Sequence, residues 1–124
     1  MYKIKHIGLQ IKEKDLKHFY QDVLGFQQER NFTLSKEETY NIFQIDTEIT
    51  ILFGNCHGCE LELFVYEQSV HDGFSHVCIS VDDAEAMAAR AIKNDYSVYI
   101  RKKNEFSTYF IQDSNHHIFE VKNN

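Results

Sequence analysis

Apolar and polar side chains alternate along four short stretches of the chain, a pattern typical of strands with one buried face. The polar face of each stretch carries a histidine or a glutamate that stands out, and these residues are His6, His76, Glu120 and Glu62, which shares its face with Glu60. Glu120, for example, lies between Phe119 and Val121, whose side chains point the other way. The four polar side chains are therefore predicted to lie on a sheet face opposite the core.

A strand followed closely by a helix occurs twice, once after His6 and once after His76. Apolar residues at the spacing of one helix face predict both helices, and they are Leu16, Phe19, Tyr20, Val23 and Leu24 in the first and Ala84, Met87, Ala88, Ala91 and Ile92 in the second. Capping residues are expected at both ends, namely Asp15 and Gly25 for the first helix, and Asp82 or Asp83 with Asn94-Asp95 for the second.

Three β-prone runs follow each helix. They cover residues 40–45, 47–53 and 60–66 in the first half and 97–100, 107–112 and 117–122 in the second. The repeat predicts one α+β domain over 1–124, made of two βαβββ modules at about 1–68 and 72–124. A module of this size leaves one sheet face uncovered, so we expect modules to pair, within one chain or between two.

Two imidazoles and two carboxylates form a donor set suited to divalent zinc, nickel, cobalt, iron or manganese. His6, Glu62, His76 and Glu120 are therefore predicted to bind one divalent ion, whose identity stays open. Histidine and glutamate are also common residues on the solvent-exposed face of a strand. The repeat favours the metal site, because it places the four residues at related points of two modules.

Six motifs spread over the whole chain resemble the vicinal oxygen chelate superfamily, which includes glyoxalase I. They are KHIGL at 5–9, FYQDVLGF at 19–26, LELF at 61–64, GFSHV at 73–77, YFIQD at 109–113 and IFEV at 118–121. The resemblance implies that the two modules form a curled mixed sheet around a metal-binding cleft. It also implies that the four residues named above are the ligands.

The His-Glu-His-Glu set is similar to that of glyoxalase I. It implies a metal-dependent lyase or isomerase that acts through an enediolate on a small α-hydroxycarbonyl or a thiol hemithioacetal. By similarity Glu120 is the leading general base, with Glu62 as its alternative or partner. The side chains of Phe64, Tyr66 and Tyr109 are expected to exclude water from this site.

The substrate stays open, because glutathione-using relatives carry Arg and Asn at the positions of Gln10 and Tyr66. Three alternatives remain: an isomerase similar to methylmalonyl-CoA epimerase, a thiol transferase that modifies an antibiotic, and a non-catalytic protein that sequesters a small molecule. The basic run 101–103 could hold a substrate carboxylate or phosphate, although such runs are more often solvated edges. Asn115 is expected to adopt the left-handed turn conformation before the last strand.

The segment Cys56-His57-Gly58-Cys59 could bind zinc or cycle as a dithiol, but an ordinary hairpin loop is the favoured interpretation. Cys78 shares the predicted face of His76. His18, His71, His116 and His117 are expected at the surface or in the linker.

The formal charge of −6, from 13 basic and 19 acidic residues, argues against binding to the phosphate backbone of a nucleic acid. No apolar run is long enough to span a membrane, and no leader segment is evident. Three cysteines fit a reducing cytoplasm better than a disulfide framework. We therefore expect a cytoplasmic homodimer that binds a small molecule, a divalent metal, and neither nucleic acid nor membrane.

Overall fold

The computed structural model describes residues 3–68 and 74–124, which form two four-stranded sheets. The first contains β1 (Ile7–Ile11), β2 (Gln27–Leu34), β3 (Ile49–Cys56) and β4 (Cys59–Val65). The second contains β5 (His76–Val81), β6 (Ser97–Lys103), β7 (Phe106–Gln112) and β8 (Ile118–Asn123). The helices are α1 (Glu13–Asp15), which continues as a π-helical segment (Leu16–Gln21), α2 (Lys36–Phe43) and α3 (Ala84–Lys93).

Both sheets have the same topology. The strand orders are β1-β4-β3-β2 and β5-β8-β7-β6. In each sheet, the strands that come first and last in the sequence of the module run parallel, namely β1 with β4 and β5 with β8. All other neighbouring strands are antiparallel. The predicted α+β architecture of two βαβββ modules is confirmed, and neither sheet is closed.

The prediction of a strand at 40–45 is wrong, because this segment belongs to α2 and the turn after it. Ser35 begins the helix, since its hydroxyl oxygen accepts the backbone N–H of Glu38 at 3.1 Å. Gln44 ends it in the left-handed conformation, with φ of 61°. The missing strand is β2, whose residues are almost all exposed at a sheet edge and therefore show no apolar alternation.

The predicted helix caps are partly wrong. Asp83 accepts the N–H of Ala86 and begins α3 as expected. Gly25 and Asp95 both have positive φ and follow the ends of their helices. Asp15, however, lies inside α1 and is buried, where it accepts the Tyr96 hydroxyl at 2.8 Å. Its carboxylate therefore joins the two modules instead of capping a helix.

One hydrophobic core joins the two modules. Phe19 and Tyr20 of the π-helical segment are fully buried, and their rings lie 5.7 and 6.2 Å from that of Phe119. Burial of such a side chain stabilises the fold by about 1.5–3 kcal/mol. The Tyr20 hydroxyl also donates to Asp113 at 2.7 Å, and burial raises the pKa of that carboxyl.

The prediction that Asn115 adopts the left-handed turn conformation is wrong, because His116 does so, with φ of 70°. Asn115 is buried, and its side-chain amide donates to the backbone oxygen of Gln10 at 2.9 Å. This bond ties the end of module 2 to the first strand of module 1. The predicted module junction at 68–72, with His71, falls largely outside the described residues.

In the described part of the chain, no helix is long and apolar enough to cross a membrane.

Candidate metal centre

Two predicted ligands, His6 and Glu62, are neighbours on the outer face of the first sheet. The parallel pairing of β1 with β4 places Gly8 opposite Glu62, and His6 lies two residues before Gly8. The Nε2 atom of His6 is 3.4 Å from Oε1 of Glu62, and the side chains are 43% and 17% exposed. We call this pair the first half-site.

The other two, His76 and Glu120, form an equivalent pair on the second sheet. Nε2 of His76 lies 3.3 Å from Oε1 of Glu120, with side chains 45% and 18% exposed. Nδ1 of His76 is 3.0 Å from the Phe74 carbonyl oxygen. Because a carbonyl oxygen only accepts, Nδ1 must donate there, and Nε2 is the ring nitrogen that would bind a metal. We call this pair the second half-site.

Each pair fits adjacent positions around a divalent ion. Ligands with bonds of about 2.0–2.2 Å to one ion lie roughly 3 to 3.5 Å from each other. Within the described residues, however, no three His, Cys, Asp or Glu side chains are placed to hold a metal ion together. One chain therefore brings the four predicted ligands together only as two separate pairs.

A cation that was not predicted from the sequence lies beside the second half-site. Lys122 follows Glu120 by two positions, and its Nζ lies 3.1 Å from Oε2 of the Glu120 carboxylate. The Lys122 ammonium holds the pKa of that carboxyl below its usual range. The two-residue spacing on a strand would have been sufficient to find it.

The first half-site opens into a cavity of about 370 Å³ with an apolar wall. Phe43 and Ile45 approach it from the α2 region, and Phe64 and Tyr66 from β4 and its end. The rings of Phe43 and Phe64 pack edge to face with centroids 5.2 Å apart. The sequence prediction included Phe64 and Tyr66 but missed the α2 residues, because that segment was expected to be a strand.

The prediction that Tyr109 lines the site is wrong. Tyr109 is buried in the core and is paired with Val121, on the sheet face opposite Glu120. Phe110 occupies the position next to Glu120 instead. Cys78 is exposed and paired with Glu120, on the face that the alternation predicted.

The cysteine hairpin agrees with its favoured interpretation. Cys56 and Cys59 are paired directly across β3 and β4, and His57 and Gly58 form a two-residue turn with positive φ at both positions. Both thiols are free. Burial raises the pKa of Cys56 to about 12. Of the other histidines, His18 and His116 are exposed and His117 is half-buried.

Comparisons with known proteins agree with this architecture. A model of the glyoxalase/bleomycin resistance protein/dioxygenase superfamily matches residues 3–121. The structure is similar to the fosfomycin resistance protein FosX of Listeria monocytogenes, with a TM-score of 0.74 and 13% identity over 100% of this chain and 94% of that one. For FosX of Mesorhizobium loti the TM-score is 0.71, at 14% identity, over 100% and 93% of the two chains.

A further structure of the Listeria protein contains Mn(II) and 1S,2S-dihydroxypropylphosphonic acid. Its TM-score is 0.73 at 12% identity, covering 98% of this chain and 90% of that one. In sequence, no curated protein matches the chain. Likeness at such identities shows a shared fold, within which some neighbours hold a divalent metal.

Proposed function

Since the chain belongs to the glyoxalase/bleomycin resistance protein/dioxygenase superfamily, we propose that it is a metal-dependent lyase or isomerase of the glyoxalase type. Its substrate would be a small α-hydroxycarbonyl or a thiol hemithioacetal. The observation that carries the proposal is the repeated pair of one imidazole and one carboxylate, separated by 3.4 and 3.3 Å on two equivalent sheet faces. Glu62 completes a four-residue donor set, which favours this chemistry over three-ligand relatives.

The complete site would form between two copies of the chain. The two half-sites do not meet within the described part of one copy, and both imidazoles are nearly half exposed. The first half-site of one copy would face the second half-site of its partner. Two carboxylates would then balance the charge of one divalent ion, and a symmetric dimer would hold two such sites.

His6, Glu62, His76 and Glu120 would hold a divalent ion, which would act as a Lewis acid on the substrate. Glu120 would take the proton from a carbon of the substrate, because it is the carboxylate beside His76 on the open face of the second sheet. The Phe74 carbonyl would hold the His76 ring in the tautomer needed by a ligand. Glu62 would return the proton or share the role of base, while Phe43 and Phe64 exclude water.

A second candidate is the modification of a small phosphonate such as fosfomycin. The observation that favours it is Lys122, whose ammonium group adds a cation beside the Glu120 carboxylate. The Glu62 ligand favours the first candidate. Epimerisation of an acyl thioester and sequestration without chemistry are the remaining outcomes to distinguish.

The test combines metal content with a substrate screen. Dialysed protein is reconstituted with Mn(II), Fe(II), Co(II), Ni(II) or Zn(II), and then assayed with hemithioacetals of several thiols, an epimerisable acyl-CoA and fosfomycin. We expect metal-dependent turnover of a hemithioacetal, which Glu120→Gln removes and Glu105→Gln, in the exposed β6–β7 turn, does not. Metal-replete protein that turns over none of these substrates would overturn the enzyme proposal.

A further inference from the structure

We infer that Lys122 binds an oxyanionic group of the substrate, so that the substrate is a small anion with an apolar body. This inference rests on the proposed function and deepens it. Lys122 shares the outer face of β8 with Glu120, and its side chain is 53% exposed. It therefore reaches the space in which the proposed reaction takes place, although it belongs to neither half-site.

Lys122 stands in a row of hydrogen-bond donors that crosses the second sheet. On one side, β5 places Ser80 opposite Lys122. On the other, the β7–β8 pairing ends at Tyr109 and Val121, and Thr108 and Lys122 are the residues beyond this last pair on the two strands. Thr108 is in turn paired with Arg101 on β6. Four adjacent strands thus present a hydroxyl, an ammonium, a second hydroxyl and a guanidinium.

The row lies close to the proposed reaction centre. It is two residues along the strands from Glu120, a distance of about 7 Å, and neighbouring strands lie about 4.8 Å apart. Ser80, Lys122 and Arg101 are exposed on this face. Ammonium, guanidinium and hydroxyl groups are the donors that recognise phosphonate, phosphate and carboxylate oxygens.

Charge balance indicates the same ligand. With a divalent ion bound, the carboxylates of Glu62 and Glu120 would balance its charge, and Lys122, now paired with Glu120, and Arg101 would then add positive charge to this face. An anionic substrate group would restore neutrality on this face. The cavity of the first half-site, by contrast, has no lysine or arginine among its described lining residues and suits an apolar group.

The first experiment measures the binding of inorganic phosphate and of acetate to metal-loaded protein by isothermal titration calorimetry. We expect the phosphate affinity to fall about 10-fold or more in Lys122→Met, as for loss of a hydrogen bond to a charged group. Lys122→Arg should restore most of the affinity, and metal content should be unchanged. Lys102→Met, on the opposite face of the same sheet, is the matched control.

The second experiment needs no metal. In Glu120→Gln protein the ammonium group of Lys122 loses its carboxylate partner, so phosphate should bind, and the added Lys122→Met change should abolish that binding. If the wild-type protein binds no metal, the proposed function is contradicted. Phosphate binding that depends on Lys122 in Glu120→Gln protein would still support the inference. Acetate that competes with phosphate would indicate a carboxylate group, and phosphate binding alone would indicate a phosphoryl or phosphonyl group.

Phosphate affinity that is unchanged in Lys122→Met, or that falls equally in Lys102→Met, would overturn the inference. The proposed function would survive that result, since neither lysine belongs to the proposed metal set.

Discussion

The two half-sites share a backbone and a donor pair but differ in what surrounds the pair. In the first, Gly8 and Gln10 of β1 are paired with Glu62 and Phe64 of β4. In the second, Cys78 and Ser80 of β5 are paired with Glu120 and Lys122 of β8. Phe64 and Lys122 therefore occupy equivalent positions of the repeat, each two residues after its glutamate.

The difference shows how a duplicated module can divide one task. The repeat keeps the imidazole and the carboxylate at nearly the same separation, 3.4 and 3.3 Å. The next position on the same face, two residues along, then supplies an aromatic ring in one module and a cation in the other. The paired modules would thereby combine a metal site, an apolar wall and an anion-binding row.

The largest expected effect comes from the two carboxylates. Glu120→Gln keeps the size of the side chain but removes its ability to take a proton, so kcat should fall by about 10²–10⁴. Glu62→Gln should lower kcat less, if Glu120 is the principal base. Steady-state kinetics on both variants at matched metal content checks this, and a larger loss in Glu62→Gln would exchange the two roles.

The apolar wall should have a smaller effect, on binding more than on chemistry. Phe64→Ala removes a ring that packs against Phe43 and lines the cavity. The lost apolar contact should raise KM about 10-fold, with a lesser change in kcat. Phe106→Ala, at an aromatic residue that is 76% exposed on the other module, should leave KM unchanged. If Phe64→Ala and Phe106→Ala proteins had the same KM, Phe64 would not contact the substrate.

The smallest expected effect is on the reactivity of Cys78, which occupies the position in the second module that Gly8 occupies in the first. Cys78 is exposed beside Glu120, whereas burial raises the pKa of Cys56 to about 12 and keeps it a protonated thiol near neutral pH. At pH 8, iodoacetamide should therefore modify Cys78 first and Cys56 last, as followed by peptide mass spectrometry. Metal loading should slow the modification of Cys78, and equal rates with and without metal would place the thiol outside the site.

Helix periodicity, β-prone runs and their repetition predicted the two modules, and strand alternation predicted the face on which His6, Glu62, His76 and Glu120 lie. These patterns failed at the edge strand β2, where both faces are exposed, and at α2, whose β-prone residues follow a serine cap. The expectation from the family resemblance that Tyr109 lies beside Glu120 was also wrong, because the strand register puts Phe110 there.

The sequence could not predict that the two half-sites of one chain lie apart, because their relative position depends on contacts between distant parts of the chain. Asp15 accepts from Tyr96, Tyr20 donates to Asp113, and Asn115 donates to Gln10. These buried polar pairs fix one module against the other, and none of them follows a periodic pattern. Whether two modules of one chain face each other across a cleft is decided by such bonds.

The central claim is that each metal site takes its first half-site from one copy and its second from another. The most direct test mixes His6→Ala and His76→Ala proteins after joint unfolding and refolding, and then measures retained metal by elemental analysis. Each variant alone should retain little metal. Random pairing should restore about a quarter of the wild-type content, because half of the dimers carry one intact site of two. No recovery on mixing would contradict a site shared between copies.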